Sequence, residues 1–173
     1  MSDAARLMDV ARGVAAHVQG IWNPAGPDLV HAAWMERFTL NVNTPDTLLT
    51  GRRVCAIPAL HELVALDRGH WKNRYTLGII LVERYAVVGG GVPPDDWIGE
   101  RAYWWEQKIL FPLCNPELVI DGPAGKVAGV MPDPETPPEV TDYLDRDKLT
   151  DHKLLYIAAN FTFIDVSDHT GAG

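Results

Sequence analysis

Cysteine is nearly missing from this sequence: Cys55 and Cys114 are the only two among 173 residues. Two thiols cannot build the disulfide framework of a small secreted domain, and these two do not form a CxxC pair. They read as small buried hydrophobes in a chain made in a reducing cytosol. Positive charge is also scarce, with 15 Lys and Arg against 23 Asp and Glu and a net charge of −8. That balance argues against a general nucleic-acid binder, which needs a basic patch to displace phosphate counterions. No apolar run reaches the ~18 residues that span a bilayer. Met1 to Gln19 is amphipathic and carries Asp3, Arg6, Asp9 and Arg12, which is unlike a signal peptide.

Catalytic motifs are absent as well. His61-Glu62 begins an HExxH zinc motif, but the run is HELVA and the second histidine is missing. His17, His31, His70, His152 and His169 show no ligand spacing with cysteines or carboxylates. Gly89-Gly90-Gly91 lacks the Lys-Ser/Thr of a phosphate loop, and the following Asp95 and Asp96 would repel phosphate. No serine or cysteine stands in a GxSxG-like context. Asn160-Phe161-Thr162 matches a glycosylation sequon by chance in a chain with no secretory signal. These readings predict no catalytic residue, no metal site and no cofactor.

What the chain does have is regular patterning. Leu7, Val10, Ala11, Val14, Ala15 and Val18 make an apolar stripe at helical spacing over residues 3–19, with Ser2 as a cap. After a turn-rich connector at 23–27, Glu36 to Val42 reads as a strand and Leu48-Leu49 as a helical turn. Arg52 to Ile57 reads as a strand that stops at Pro58, which has no N–H for a ladder. His61 to Trp71 fits either an extension of that strand or a polar turn. Asn73 to Arg84 alternates with β-branched residues, as a long strand does. Pro94, Asp95 and Asp96 then open a helix to about Phe111, whose Trp97, Ile98, Ala102, Trp105 and Ile109 share one face.

Seven of the 13 prolines fall between 112 and 138. Residues 115–151 therefore read as a long Pro-rich excursion, a feature that in a compact domain is usually functional or mobile. Its apolar Leu118, Val119, Ile120, Val127, Val130 and Met131 suggest a segment that orders on a neighbouring subunit. A final strand covers 154–166, and the tail 167–173 should fray. The whole is one domain of 173 residues with an α+β core over 34–166: an antiparallel β-sheet packed by helices on one face, with a long Pro-rich loop before the last strand.

The segments MERFTLNV, GRRVCAIPAL, the Arg68 loop, NRYTLGIILVERY, PPDDWIGERAYWWEQKIL and VTDYLDRDKLTDHKLLYIAANFTFIDV come in a telling order. Together they resemble the tail terminator, or tail-completion, proteins of long-tailed bacteriophages and related prophage elements. The resemblance covers most of residues 34–166. It implies a non-enzymatic virion protein, made in the host cytoplasm, that forms a homo-oligomeric ring, commonly a hexamer, at the head-proximal end of the tail. Such a ring ends polymerisation of the tail tube protein and meets a head-completion, or stopper, protein. Genomic DNA would pass through without specific binding, and the acidic balance suits that passage. A head-tail adaptor is the near alternative, and a small ligand-binding domain or enzyme the distant one. In a ring, the basic Arg52, Arg53, Arg68, Lys72 and Arg74 are candidates to pair across the interface with Asp95, Asp96 and Glu100. Trp104, about 100° around the helix from Trp105, is the candidate aromatic contact.

Overall fold

A computed structural model of the chain describes residues 3–22, 30–34, 52–67, 70–85, 93–123, 127, 129–143, 149 and 154–168. The expected strand 36–42, the turn at 48–49, the glycine run 89–91 and Arg68 lie outside them.

Helix α1 spans Asp3–Trp22. All six residues of its predicted stripe are buried, Val10, Ala11 and Val14 completely. The sheet contains β1 (Val30–Ala32), β2 (Arg52–Asp67), β3 (His70–Arg84), β4 (Met131–Pro132), β5 (Glu139–Tyr143) and β6 (Leu154–Asp168). Its order is β1-β2-β3-β6-β4, and β5 pairs with the same edge of β6 as a separate piece. Every pairing is antiparallel except that of β1 with β2. The α+β class with an antiparallel sheet is therefore as expected.

β3 is the centre. It pairs with β6 without a break from His70↔Asp168 to Arg84↔Leu154, and with β2 from Arg52↔Glu83 to Asp67↔His70. Its alternation divides the protein into two layers. Tyr75, Leu77, Ile79 and Leu81 join Val54, Ala56, Leu155, Ile157, Ala159, Phe161 and Phe163 in a core shared with α1 and the second helix. Cys55, Ile57, Ile80, Val82, Leu154 and Ala158 form a smaller cluster on the other face, and none of its members comes from a helix.

The second helix, α2, spans Asp95–Trp105 and continues as a π-helical turn, Glu106–Leu110, into a closing turn, Phe111–Leu113. Uniform α-geometry to 111 was expected, and Pro112 accounts for the difference. It has no N–H to return to the carbonyl of Lys108, and its ring would collide with that carbonyl. The wide turn, closed by Phe111 N–H to Glu106 O, relieves the collision. Trp105 and Ile109 still reach the core with no exposure, and Trp97 and Ile98 pack at its margin.

Three boundaries differ from the sequence reading. β2 passes through Pro58 to Asp67 because the proline sits at a register shift, Pro58/Leu60, beyond the reach of β1. Edges and bulges are where a sheet tolerates a residue with no N–H. Residues 61–67 and 70–71 thus belong to one long antiparallel pair. β6 also extends into the expected tail, with Ser167 opposite Trp71. Finally, the excursion does not keep its apolar residues for a neighbour. Leu118, Ile120, Val127 and Val130 are buried in the chain's own core, while Val119 and Met131 are exposed. Ile120 and Val130 exchange two backbone hydrogen bonds, and a Cβ on Gly13 of α1 would fall 2.7 Å from the Asp121 carbonyl oxygen.

Two substitutions test this packing. Ile109→Ala should lower unfolding free energy by about 2–5 kcal/mol in denaturant titration, as a fully buried truncation does. Gly13→Ala, by pushing the 120–122 backbone off α1, should cost about 1–3 kcal/mol.

Candidate functional site

Among the described residues, three clusters of ionisable side chains are anchored on β3, apart from the Asp9–Arg12 pair within α1. At the end of the sheet near Arg84, Glu83 is 9% exposed on the helix face. It accepts from Arg52 Nε at 2.9 Å and from Arg101 at 3.2 and 3.4 Å. The Arg52 guanidinium lies 4.5 Å from the Trp104 ring and 5.9 Å from Trp22, and those two rings meet edge-on at 4.7 Å. Arg101 sits 4.5 Å from the Trp97 ring, which also meets Tyr85. One carboxylate thus holds two guanidiniums over aromatic rings, which favour them electrostatically.

Towards the hairpin turn, Asp165 on β6 is the hub of the helix face. It accepts from Arg6 and the Tyr75 hydroxyl, both at 3.0 Å, and from the Asn73 amide. Asn73 Oδ1 is 3.1 Å from His61 Nε2, and because the amide nitrogen already donates to Asp165, His61 is the donor there. The imidazole also stacks on Tyr75 at 4.8 Å and 9°. Burial first, and then the negative charge of Asp165, pushes the Tyr75 hydroxyl well above its ordinary pKa. A phenol so placed is a fixed donor and not a proton carrier.

The opposite face carries the third group. Asp133, with no side-chain exposure, accepts from Lys72 Nζ at 3.2 Å and Arg74 Nε at 3.0 Å. The Glu135 N–H and the Thr136 hydroxyl bind the same carboxylate at 3.2 and 3.1 Å. Glu135 adds a second contact to Lys72 at 3.2 Å. Burial by itself raises the Asp133 pKa, but the Glu135 N–H, Lys72 and Thr136 outweigh it and hold the carboxyl below its ordinary value. The result is a clamp that carries the segment after β4 across β6 to β3.

These contacts locate the candidate interface residues. Arg52, Lys72 and Arg74 are satisfied by Glu83 and Asp133 of their own chain. Arg53 is half-buried on the face away from the helices, and its Nε is buried without a hydrogen-bond partner. Asp95 and Asp96 are exposed in the first turn of α2. Glu100 is exposed and pairs with Arg101 at 2.8 Å. Trp104 is half-buried in the Arg52 cluster, whereas Trp105 takes the core position. Among the described residues, Arg52, Lys72 and Arg74 pair with acids other than Asp95, Asp96 and Glu100, and Arg101 bridges Glu100 and Glu83. Sequence reading missed Glu83, Arg101, Asp133 and Asp165. Tyr75 was the available signal, since an alternation that buries a tyrosine demands a partner for its hydroxyl.

The other reactive groups are held back. Burial pushes the Cys55 thiol up to about 12 and raises that of Cys114, so neither is poised as a thiolate. His61 and Glu62 point to opposite faces of β2, with Glu62 4.0 Å from Arg74. Among the described residues, no three His, Cys, Asp or Glu side chains converge as metal ligands would. A cavity of about 230 Å³ opens on the helix face between the closing turn and the 132–138 segment, lined by Leu113, Cys114, Pro116, Pro132, Pro137 and Phe161.

No protein-family model matches the chain, and no curated protein matches it. Seven solved chains show some likeness. One of them, which bears no functional name, aligns over 96% of this chain and 97% of its own at 16% identity, with a TM-score of 0.34. Likeness at that level carries no argument about fold or function.

The Asp133 clamp has a defined pH signature. Because the folded carboxyl titrates below its ordinary value of 3.8, its contribution is complete above that pH and lost as pH falls through the folded value. The parent should therefore exceed Asp133→Asn in stability at neutral pH, and the gap should close in acid below about pH 4. Asp133→Ala, which removes the main partner of a buried lysine, should cost about 3 kcal/mol in a denaturant titration at pH 7.

Proposed function

We propose that this chain is a structural virion protein, a ring subunit at the head-proximal end of a phage tail tube. It stops tube growth and offers the surface on which the head-completion protein seats. The observation that carries this reading is the outer edge of β2. Beyond Ala56 it runs past β1 to Asp67 and, among the described residues, has no strand beside it. Leu60, Leu63 and Leu66 along it are 49%, 52% and 53% exposed. An edge strand with large apolar side chains invites another chain, and a ring satisfies every such edge at once.

Two further features support it. The ionisable clusters are closed on themselves by structural hydrogen bonds, which favours a scaffold over a catalyst. The net charge of −8 suits a lumen that DNA crosses without sticking. A head-tail adaptor shares all these properties and differs in its partner. A small ligand-binding domain is the second reading, favoured by the apolar cavity beneath Leu113.

The deciding experiment combines mass and microscopy. The purified protein should elute near six times 19.1 kDa and cap the end of tail tubes in negative-stain images. A ring that binds only the portal side of a neck complex would make it an adaptor. A stable monomer at high concentration that caps nothing would defeat the ring reading.

A further inference from the structure

We infer that the outward face of α2 and of the turns that continue it is self-complementary, and seats the same face of a second copy across a two-fold axis at Gln107. Such a contact is independent of the ring reading. Alone it makes a dimer, and added to a ring it joins two rings.

The π turn makes this face straight. In an unbroken α-helix, side chains four residues apart drift by about 40° at each step, so Tyr103 and Phe111 would stand about 80° apart. The extra residue in the turn that the Phe111 N–H closes on Glu106 O takes out that drift. Burial follows four parallel rows as a result. Trp105, Ile109 and Leu113 are buried in the core. Two residues away, about half a turn, Tyr103, Gln107 and Phe111 are exposed, the two aromatics by 65% and 56%. Ala102, Glu106 and Leu110 form one half-buried flank, and Trp104, Lys108 and Pro112 the other.

An axis through Gln107, normal to the helix, reverses the second copy and matches these rows residue by residue. Tyr103 of each copy meets Phe111 of the other, and Gln107 meets Gln107. The axis also exchanges the flanks, so Glu106 of one copy faces Lys108 of the other, Leu110 faces Trp104 and Ala102 faces Pro112. Opposite charges are brought together, and apolar groups meet apolar groups. Among the described residues, neither Glu106 nor Lys108 has an ion-pair partner within the subunit. A slip of one turn in either direction loses the aromatic and the ionic pairs together, which fixes the register. The acidic helix starts stay apart, because Asp95 and Asp96 of each copy lie about 16 Å or more along the helix from the axis. Aromatic burial carries the affinity, and the solvent-screened ion pairs at the rim select the alignment. The face is small, so the dimer is weak and forms at high protein concentration.

Disulfide trapping tests the axis. In a Cys114→Ser background, with Cys55 buried, Gln107→Cys puts one accessible thiol on the axis. Mild copper-phenanthroline oxidation should link two copies through it. Glu100→Cys, exposed on the same helix but away from the axis, should give no such dimer. Charge exchange tests the alignment: Glu106→Lys or Lys108→Glu alone should weaken dimerisation about fivefold in sedimentation equilibrium at low salt, and the two together should restore it. Tyr103→Glu should abolish the contact without changing the melting temperature, since that side chain is exposed in the subunit. If Gln107→Cys links no faster than Glu100→Cys, or the double exchange fails to restore association, the contact is wrong, whether or not the parent forms rings. A parent that is only a dimer, and links through Gln107→Cys, keeps this contact and removes the ring.

Discussion

β3 is enclosed by β2 and β6 along its whole length, and it carries charge at both ends. Lys72 is 7% and Glu83 9% exposed, with Arg74 half-buried between hairpin and sheet. A charge in the middle of a sheet has to be met, because an unpaired buried ion costs several kcal/mol. The partners cannot come from the adjacent strands alone, so they are drawn from remote parts of the chain. Arg101 arrives from α2 and Asp133 from the segment after β4. The buried Asn73 and Tyr75 make the same demand on the helix face, where Asp165 recruits Arg6 from α1. Most elements that cover the sheet are thus fixed twice, once by apolar burial and once by a polar contact to β3 or its neighbour.

This explains what could be read from the sequence. Periodic patterns found α1, β3, α2 and β6 because each buries one face over many residues, and the period survives single exceptions. β1 escaped because three residues cannot show an alternation. Pro58 was weighed as a stop because a proline ends a central strand; only the limited reach of β1 turns that position into an edge. Pro112 stands just past the expected helix end, and its effect on the preceding turn depends on a carbonyl that sequence patterns do not register. The polar partners were invisible for a different reason. Glu83 and Arg52 are 31 residues apart, Lys72 and Asp133 61, and Asn73 and Asp165 92. No local spacing encodes such pairs.

The basic residues around β2 and β3 were singled out because they stand against an acidic background, and that inference weighed charge without weighing burial. A lysine at 7% exposure has already committed its charge inside the subunit. Asp95 and Asp96, exposed in the first turn of α2, are of one sign, and like charges brought together oppose association. The exposed leucines of β2 do not form one strip either, since Leu60 is opposite Thr76 and Leu63 opposite Asn73, on different faces of the sheet.

A sheet with two different edges faces a hazard that a symmetric dimer avoids. If both edges offered continuous N–H and C=O groups, copies would add in any stagger and the product would be an open fibre. Pro132, Pro134, Pro137 and Pro138, beside β4 and β5, take donors out of that side of β6 and so interrupt the row of N–H groups an open fibre would need.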